Sequence, residues 1–352
     1  MRILLCLASA AGGIGTHVAD LSRSLSAAGH DVHVATDPAT RARFDLPGES
    51  MLTVGEVRAF GRGADVVHAH GFRAGLVATT AMATLAPFGA GVPVVVSLHN
   101  PIRGAGSSPR RLAGEVAARA VVRRAALVTG ASSDLVADAR ALGARRAELA
   151  EVPSPRVPTL LATDRAGWRA AHRDALLARH DLAGETPFVL TIARVAPQKG
   201  IDVLAEAAAG APGQWGLVGP GQQDLAADGP LYLLGETADA TPWLLAGDVL
   251  VVPSEWEARA LVVQEAMAAG TPVVARRVGG LPDLLDGVGL LVDGPQEASA
   301  GPLARAVAAV LDHPDRAAHA ALAARERARG WDGLDDSATR WVQRYRALAH
   351  VT

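Results

Sequence analysis

Arg194 and Lys199 lie five residues apart in the segment Ala193-Arg194-Val195-Ala196-Pro197-Gln198-Lys199-Gly200, directly after an apolar run. Lys199 is the only lysine among 34 basic residues. A chain that fills every other cationic position with arginine points to a need here for a compact, rotatable ammonium instead of a planar fork. Across a turn, Arg194 can bind two oxygens of a diphosphate while Lys199 neutralises the remaining charge. A second anion-binding element follows the run Val249 to Val252: a loop, Glu255 to Ala260, leads into a helix expected to start at Leu261. The first amides of that helix, at Leu261 and Val262, lack intrahelical acceptors, and the helix dipole there favours a phosphate. Glu257 and Glu265 bracket this turn at a spacing of eight. Carboxylates accept hydrogen bonds from vicinal hydroxyls, so this pair can hold two sugar rings on either side of the phosphates.

Three further segments carry candidate chemistry. In Ser97-Leu98-His99-Asn100, His99 ends an apolar run, where an imidazole either donates to a hydroxyl and stabilises charge or is satisfied structurally. His68 and His70 end another such run and read as structural ahead of acceptor-binding. Gly12-Gly13-Ile14-Gly15-Thr16-His17-Val18 is a glycine loop whose backbone, at Gly12, Gly13 and Gly15, can approach a ligand closely. No Asp-x-Asp pair occurs, and no histidine or carboxylate group has metal-ligand spacing, so no metal and no cofactor are expected. The lone Cys6 excludes a disulfide within the chain.

These residues need elements to hold them. Short apolar runs alternate with alanine-rich amphipathic segments, the pattern of an α/β protein whose parallel sheets are covered by helices. Strands are expected near Arg2–Ala8, Asp31–Thr36, Val66–Ala69, Val94–Leu98 and Leu127–Thr129, with a first helix from Thr16 burying Val18, Leu21, Leu25 and Ala28 and stopping at Gly29. Three prolines between Glu151 and Pro158 mark a connection. A second set of strands is expected near Phe188–Ala193, Trp215–Val218, Leu231–Leu234, Val249–Val252 and Val273–Ala275, and a terminal helix over Trp331–Ala349. Two doubly wound sheets follow, with ligands at the carboxyl ends of their strands.

Net charge is only −2 but is unevenly distributed. Residues 101–179 hold 14 Arg against 7 acids, and residues 201–300 hold 3 Arg against 14 acids. Much of the positive excess falls on an expected helix bearing Arg110, Arg111, Arg119, Arg123 and Arg124, a face suited either to solvent or to an anionic lipid surface. No apolar run is long enough to span a bilayer and no signal segment opens the chain, which points to a cytoplasmic protein, at most docked on the inner face of the membrane. Nothing in the sequence calls for nucleic acid.

The run from Pro253-Ser254-Glu255-Trp256-Glu257 through Gln264-Glu265-Ala266 to Gly270-Thr271-Pro272, continuing to Val278-Gly279-Gly280-Leu281-Pro282, resembles the donor-site signature of family 4 retaining glycosyltransferases of actinobacterial type. Arg194 to Gly200 is similar to the same family's phosphate motif, and Gly219-Pro220-Gly221 and Leu233-Leu234-Gly235 resemble its glycine turn and base-flanking strand. The resemblance implies a GT-B fold. Residues 1–165 would form the acceptor-binding domain, with terminal helix 331–352 packed back onto it, and 166–330 the donor-binding domain. It implies that Arg194, Lys199, Gly13, Leu261 and Val262 meet the donor diphosphate, that Glu265 meets the ribose, and that His99, Glu257, Ala258, Arg259 and Ala260 surround the transferred sugar. Glu257, His99, Arg194 and Lys199 would be the catalytic set. The expected reaction is metal-independent, retaining transfer of a hexose-type sugar from a nucleoside diphosphate sugar, such as a UDP or GDP sugar, to an acceptor hydroxyl on a small molecule, natural product or lipid-linked substrate. Where the family has glycines and an aromatic after its first Glu, this chain has Ala258, Arg259 and Ala260, which sets a cation on the loop over the donor sugar. Two rivals are a same-fold sugar-nucleotide epimerase and an NAD-dependent oxidoreductase. The second fits only Gly13-Ile14-Gly15 and Asp37 and leaves Arg194, Lys199 and Glu265 without a task.

Overall fold

A computed structural model describes residues 1–10, 12–85, 91–101 and 109–349, without the side chains of 109–111. The chain divides into two compact units, Met1–Pro153 with Asp332–Thr352, and Ser154–Trp331. The boundary thus falls earlier than the expected 165/166. The reason is local: Val157 and Leu160, in the helix Val157–Ala162, are buried in the hydrophobic core of the second unit.

The first unit contains one six-stranded parallel sheet. Its strands are β1 (Arg2–Leu7), β2 (Asp31–Ala35), β3 (Val66–His70), β4 (Val94–Leu98), β5 (Leu127–Gly130) and β6 (Ala147–Leu149), in the order β2-β1-β3-β4-β5-β6. Helices cover both faces, so β3, β4 and β5 are buried throughout and are apolar except at His68, His70, Ser97 and Thr129. Strand order reverses between β1 and β3, the switch point at which such sheets bind ligands. The terminal helix is shorter than expected, Leu334–Ala349, and seats Trp341, Tyr345 and Leu348 in the same core as Ile3, Leu5, Val18 and Leu25.

The second unit repeats the plan with β7 (Phe188–Ile192), β8 (Gln214–Val218), β9 (Tyr232–Leu233), β10 (Val249–Val252), β11 (Val273–Arg276) and β12 (Leu290–Val292), ordered β12-β11-β10-β7-β8-β9. Its switch point lies between β7 and β10, the two strands that precede the candidate phosphate-binding segments. Among the described residues no helix is long and apolar enough to cross a membrane.

Three local readings change. The first helix runs Gly13–Ala27, so Gly13 and Gly15 belong to its first turn and not to a free loop; Val18, Leu21 and Leu25 are buried but Ala28 is exposed. A side chain at Gly15 would strike the Phe44 ring, which gives that glycine a packing reason. Strands β6 and β12 lie outside the expected set: both are three-residue strands at the sheet edges, β6 with a charged residue at its centre and β12 with an apolar run only three residues long.

The strand ends of the first unit bury polar groups. His68 is fully enclosed, its Nδ1 2.6 Å from Tyr345 Oη and its Nε2 2.7 Å from Ser97 Oγ, which in turn lies 2.7 Å from Thr129 Oγ1. Burial pushes His17 down to about 4 and His99 to about 3, and holds His68 and His70 well below the ordinary imidazole range. Unfolding returns each to its ordinary value of 6.5. The unfolded chain therefore binds more protons in acid, and the stability these groups contribute is complete above pH 6.5 and is lost as pH falls from there toward 4. Each such histidine steepens the loss by up to about 1.4 kcal/mol per pH unit. Denaturant melts through that window should show falling midpoints, and replacing His17 by Gln should flatten the slope; a midpoint independent of pH there would contradict the buried, neutral assignment.

Candidate active site

The second unit assembles its site where β7 and β10 lie side by side. The chain leaves β7, passes Arg194, makes a single 3-10 turn over Pro197–Lys199 and enters the helix Ile201–Ala209 through Gly200, whose φ of 62° is left-handed. A Cβ on Gly200 would come within 2.5 Å of the Pro253 carbonyl oxygen, so glycine lets the turn lie directly against the segment after β10. Glu255 N–H donates to the Gln198 carbonyl at 2.9 Å and ties the two segments together.

Side chains complete the junction. Lys199 Nζ lies 2.6 Å from Glu257 Oε1, which also accepts from Ser254 Oγ at 2.7 Å. Both members of the ion pair are largely sheltered, with side chains 20% and 14% exposed. Arg194 is exposed and has no side-chain partner among the described residues. Its backbone is fixed instead: Val195 N–H donates to Pro220 of the Gly219-Pro220-Gly221 turn at 2.8 Å, and Gly219, with φ 141°, lies flat against Ala193.

The helix Leu261–Ala269 starts beside these groups. Its N-cap, Ala260, offers no side-chain acceptor, so the N–H groups of Leu261 and Val262 are left for a ligand, and both residues are half-buried. One turn in, Glu265 is 4% exposed. It accepts from Ser154 Oγ at 2.7 Å and from Arg156 Nη1 at 3.3 Å, while burial raises its carboxyl above its usual range against those two bonds. Arg156 also donates to the Ala238 carbonyl at 3.2 Å, next to the segment that follows β9.

Several contributors carried no signal in the sequence. Ser154 and Arg156 come from the proline-rich connection, far in sequence from Glu265. Arg276, 3% exposed at the end of β11, donates to Ser299 Oγ, Gln296 Oε1 and the carbonyls of Ser254 and Gly294, all neutral acceptors. Its charge thus adds to the positive field around Ser254. Gly279, with φ 53°, lets Gly280 N–H donate to the Glu257 carbonyl at 2.8 Å; a Cβ there would collide with that carbonyl.

Arg259 departs from expectation. Its guanidinium is not held out over the loop: the residue is 8% exposed and its Cζ lies 5.1 Å from the centre of the Trp331 ring, a cation–π contact inside the second unit. Ala258 is half-buried and Ala260 buried.

In the first unit, Gly12 and Gly13 are exposed, with open space where a side chain would begin. His99 is 8% exposed, with Nε2 3.2 Å from His70 Nδ1. Sequence spacing gave no metal-ligand group, yet the fold brings His17, His70 and His99 together. The basic helix spans Pro109–Arg124; Arg119, Arg123 and Arg124 are exposed, Arg119 paired to Glu115 at 2.9 Å, while the side chains of Arg110 and Arg111 lie outside the described set.

Comparison with known proteins places this geometry. Residues 12–155 match the family described as Glycosyl transferase 4-like domain, and residues 186–313 match Glycosyl transferases group 1. D-inositol 3-phosphate glycosyltransferase of Xylanimonas cellulosilytica is 31% identical over 92% of this chain and 89% of its own. One of two such enzymes of Catenulispora acidiphila is 30% identical over 88% and 84%. Among solved structures, Anabaena HepE in complex with UDP superposes with a TM-score of 0.80 at 22% identity, covering 99% of this chain and 100% of that one. Sucrose-phosphate synthase from Thermosynechococcus elongatus gives 0.77 at 23% identity over the full length of both. The structural likenesses establish the GT-B fold, and the sequence matches extend through both units: this chain belongs to glycosyltransferase family 4 and is a glycosyltransferase.

Proposed function

We propose that the enzyme transfers a hexose-type sugar from a nucleoside diphosphate sugar to an acceptor hydroxyl, with retention of anomeric configuration and without a divalent cation on the diphosphate. The observation that carries this reading is the meeting of Arg194, Lys199 and the uncapped helix start at Leu261 at one switch point. Each supplies positive charge or N–H donors where a leaving diphosphate gains charge. Glu265, buried a turn into that helix, takes the ribose hydroxyls, and Glu257 the sugar near its reacting carbon. Before the donor arrives, Glu257 holds the Lys199 ammonium in place; the diphosphate then competes for that ammonium. HepE has been solved with UDP-glucose as well as UDP, which supports a uridine nucleotide as the first donor to try.

In the chemical step the acceptor oxygen attacks the anomeric carbon on the face from which the diphosphate departs. The new C–O bond forms as the sugar–phosphate bond breaks, and a phosphate oxygen takes the acceptor's proton. His99 and the glycine turn at Gly12 and Gly13 belong to the unit proposed to bring the acceptor. The named activity of the relatives, on inositol 3-phosphate, supports a phosphorylated polyol as the first acceptor to test. Leu112 and Val116, 67% and 60% exposed on the basic helix, favour a lipid-linked acceptor as the second.

Thermal-shift screening against nucleoside diphosphates and their sugars should give stabilisation by one nucleotide series and none by nicotinamide dinucleotides. Turnover should require an acceptor; conversion of donor to an isomeric sugar nucleotide without acceptor would favour an epimerase. Lys199→Arg should lower turnover roughly ten- to hundred-fold, because a rigid fork cannot replace the ammonium between Glu257 and the phosphates, while the melting temperature stays near the parent value. Full activity in that variant would contradict the assigned role of Lys199. Gly279→Ala should cost about 1–2 kcal/mol of stability through its left-handed backbone and reduce kcat/KM further by displacing Glu257. An alanine variant with unchanged kcat/KM would remove the Glu257 loop from the site.

A further inference from the structure

His70 ends β3 and His99 lies one residue past β4, the neighbouring strand of the first sheet. Register brings the two rings together: His70 stands opposite Ser97, two residues before His99, a diagonal separation that imidazoles can bridge. Nδ1 of His70 is 3.2 Å from Nε2 of His99. The ring centres are 5.5 Å apart and the ring planes 18° from parallel, which is close to the greatest separation that such a contact allows. The two nitrogens therefore point at each other along the line of centres, the alignment that an N–H···N bond requires.

Burial keeps both rings neutral at physiological pH: His99 is pushed down to about 3 and His70 lies well below the ordinary imidazole value. A neutral imidazole carries one proton and has one bare nitrogen. One proton therefore sits between the two rings. If His70 Nδ1 carries it, His99 Nε2 is bare and the proton of His99 is on its Nδ1. If His99 Nε2 carries it, the proton of His70 is on its Nε2. In both arrangements the rings are protonated at the same-named nitrogen, and neither can change tautomer without the other.

A second observation shows which ring serves which. His70 Nε2 is buried and has no partner, so among the described residues the bond to His99 is the only hydrogen bond of this side chain. Leaving a buried polar atom unmet is destabilising. His68, two residues earlier on the same strand, has both nitrogens engaged, by Tyr345 and Ser97, and is satisfied as a structural residue. His70 completes no such network; its one bond goes to His99. Conversely, Nδ1 of His99 is bonded to no described residue, and His99 keeps 8% exposure. That nitrogen is the one left for a ligand.

We propose that His70 is a positioning residue for His99: it holds the His99 ring in one orientation, with Nε2 engaged and Nδ1 free, and ties the tautomer of His99 to its own. This role rests on the placing of His99 beside the transferred sugar under the proposed function. An unheld imidazole at a strand end can flip its ring and present a nitrogen or a C–H to the same hydroxyl. The bond to His70 removes that freedom, so the group that meets the sugar is fixed in direction before the donor arrives.

The test begins with imidazole nitrogen NMR of full-length, isotope-labelled wild-type protein at neutral pH. The expected result is that His70 and His99 both carry the proton on Nδ1 or both on Nε2; protons on differently named nitrogens would show that no N–H···N bond joins the rings and would overturn the proposal without any variant. Turnover then reads the role. His70→Leu should lower kcat roughly ten-fold, with the donor KM within about two-fold of the parent value. His70→Asn, whose amide stands where Nδ1 stood, should recover most of that loss, and His70→Gln, whose amide falls at the Nε2 position, should not. Full kcat in a folded His70→Leu variant overturns the proposal, and so does equal recovery by Asn and Gln. His99→Ala separates the two readings: full turnover there refutes the placing of His99 at the sugar, whereas a loss in His99→Ala with none in His70→Leu refutes the role of His70 alone.

Discussion

The contact between Lys199 and Glu257 is the point on which the second unit's site depends. It joins the two segments that leave β7 and β10, the strands flanking the reversal of order in that sheet. Neighbouring features serve the same junction: left-handed Gly200 against Pro253, the Glu255-to-Gln198 backbone bond, Ser254 beneath the carboxylate and Gly280 on the Glu257 carbonyl. A solvent-exposed ion pair contributes little to stability. This pair is sheltered and hydrogen-bonded on one side, so it holds charge in a fixed place, which is what a site needs in order to meet charge that develops during reaction.

The electrostatic setting gives that junction contrast. Residues 201–300 carry 14 acids and 3 arginines, yet Arg276 is buried beside Ser254, and Arg194 and Lys199 stand at the strand ends. A local positive focus within an acidic surround suits a compact anion and opposes extended polyanions, whose charge would meet the acidic surface. Glu265 shows the converse device: a buried carboxylate kept in place by Ser154 and Arg156 from the connecting segment. The residues that would touch the nucleotide are thereby braced by the segment through which the chain enters the second unit.

Much of this was legible in the sequence because buried parallel strands must be continuously apolar and because helix starts and glycine turns leave local signatures. All ten expected strands exist, and the helix at Leu261 begins where the sequence places it. What was not legible depended on distance. The edge strand β6 has no apolar pattern to read, since its half-exposed centre accepts Glu148, and the apolar run of β12 is only three residues long. Arg259 has the sequence signature of a loop cation; only the fold reveals Trp331 beneath it. The spacing of Gly15 suits close backbone approach, although the Phe44 ring is sufficient reason for that glycine. Ser154, Arg156 and the three histidines could not be grouped by spacing, because their proximity is produced by sheet register and chain reversal.

The most direct test of the central claim is a crystal structure of the enzyme with its nucleoside diphosphate. The account predicts phosphate oxygens within hydrogen-bonding distance of Arg194, Lys199 and the Leu261 and Val262 amides, with the ribose hydroxyls on Glu265. A nucleotide bound with its phosphates elsewhere and the Lys199–Glu257 contact undisturbed would contradict it.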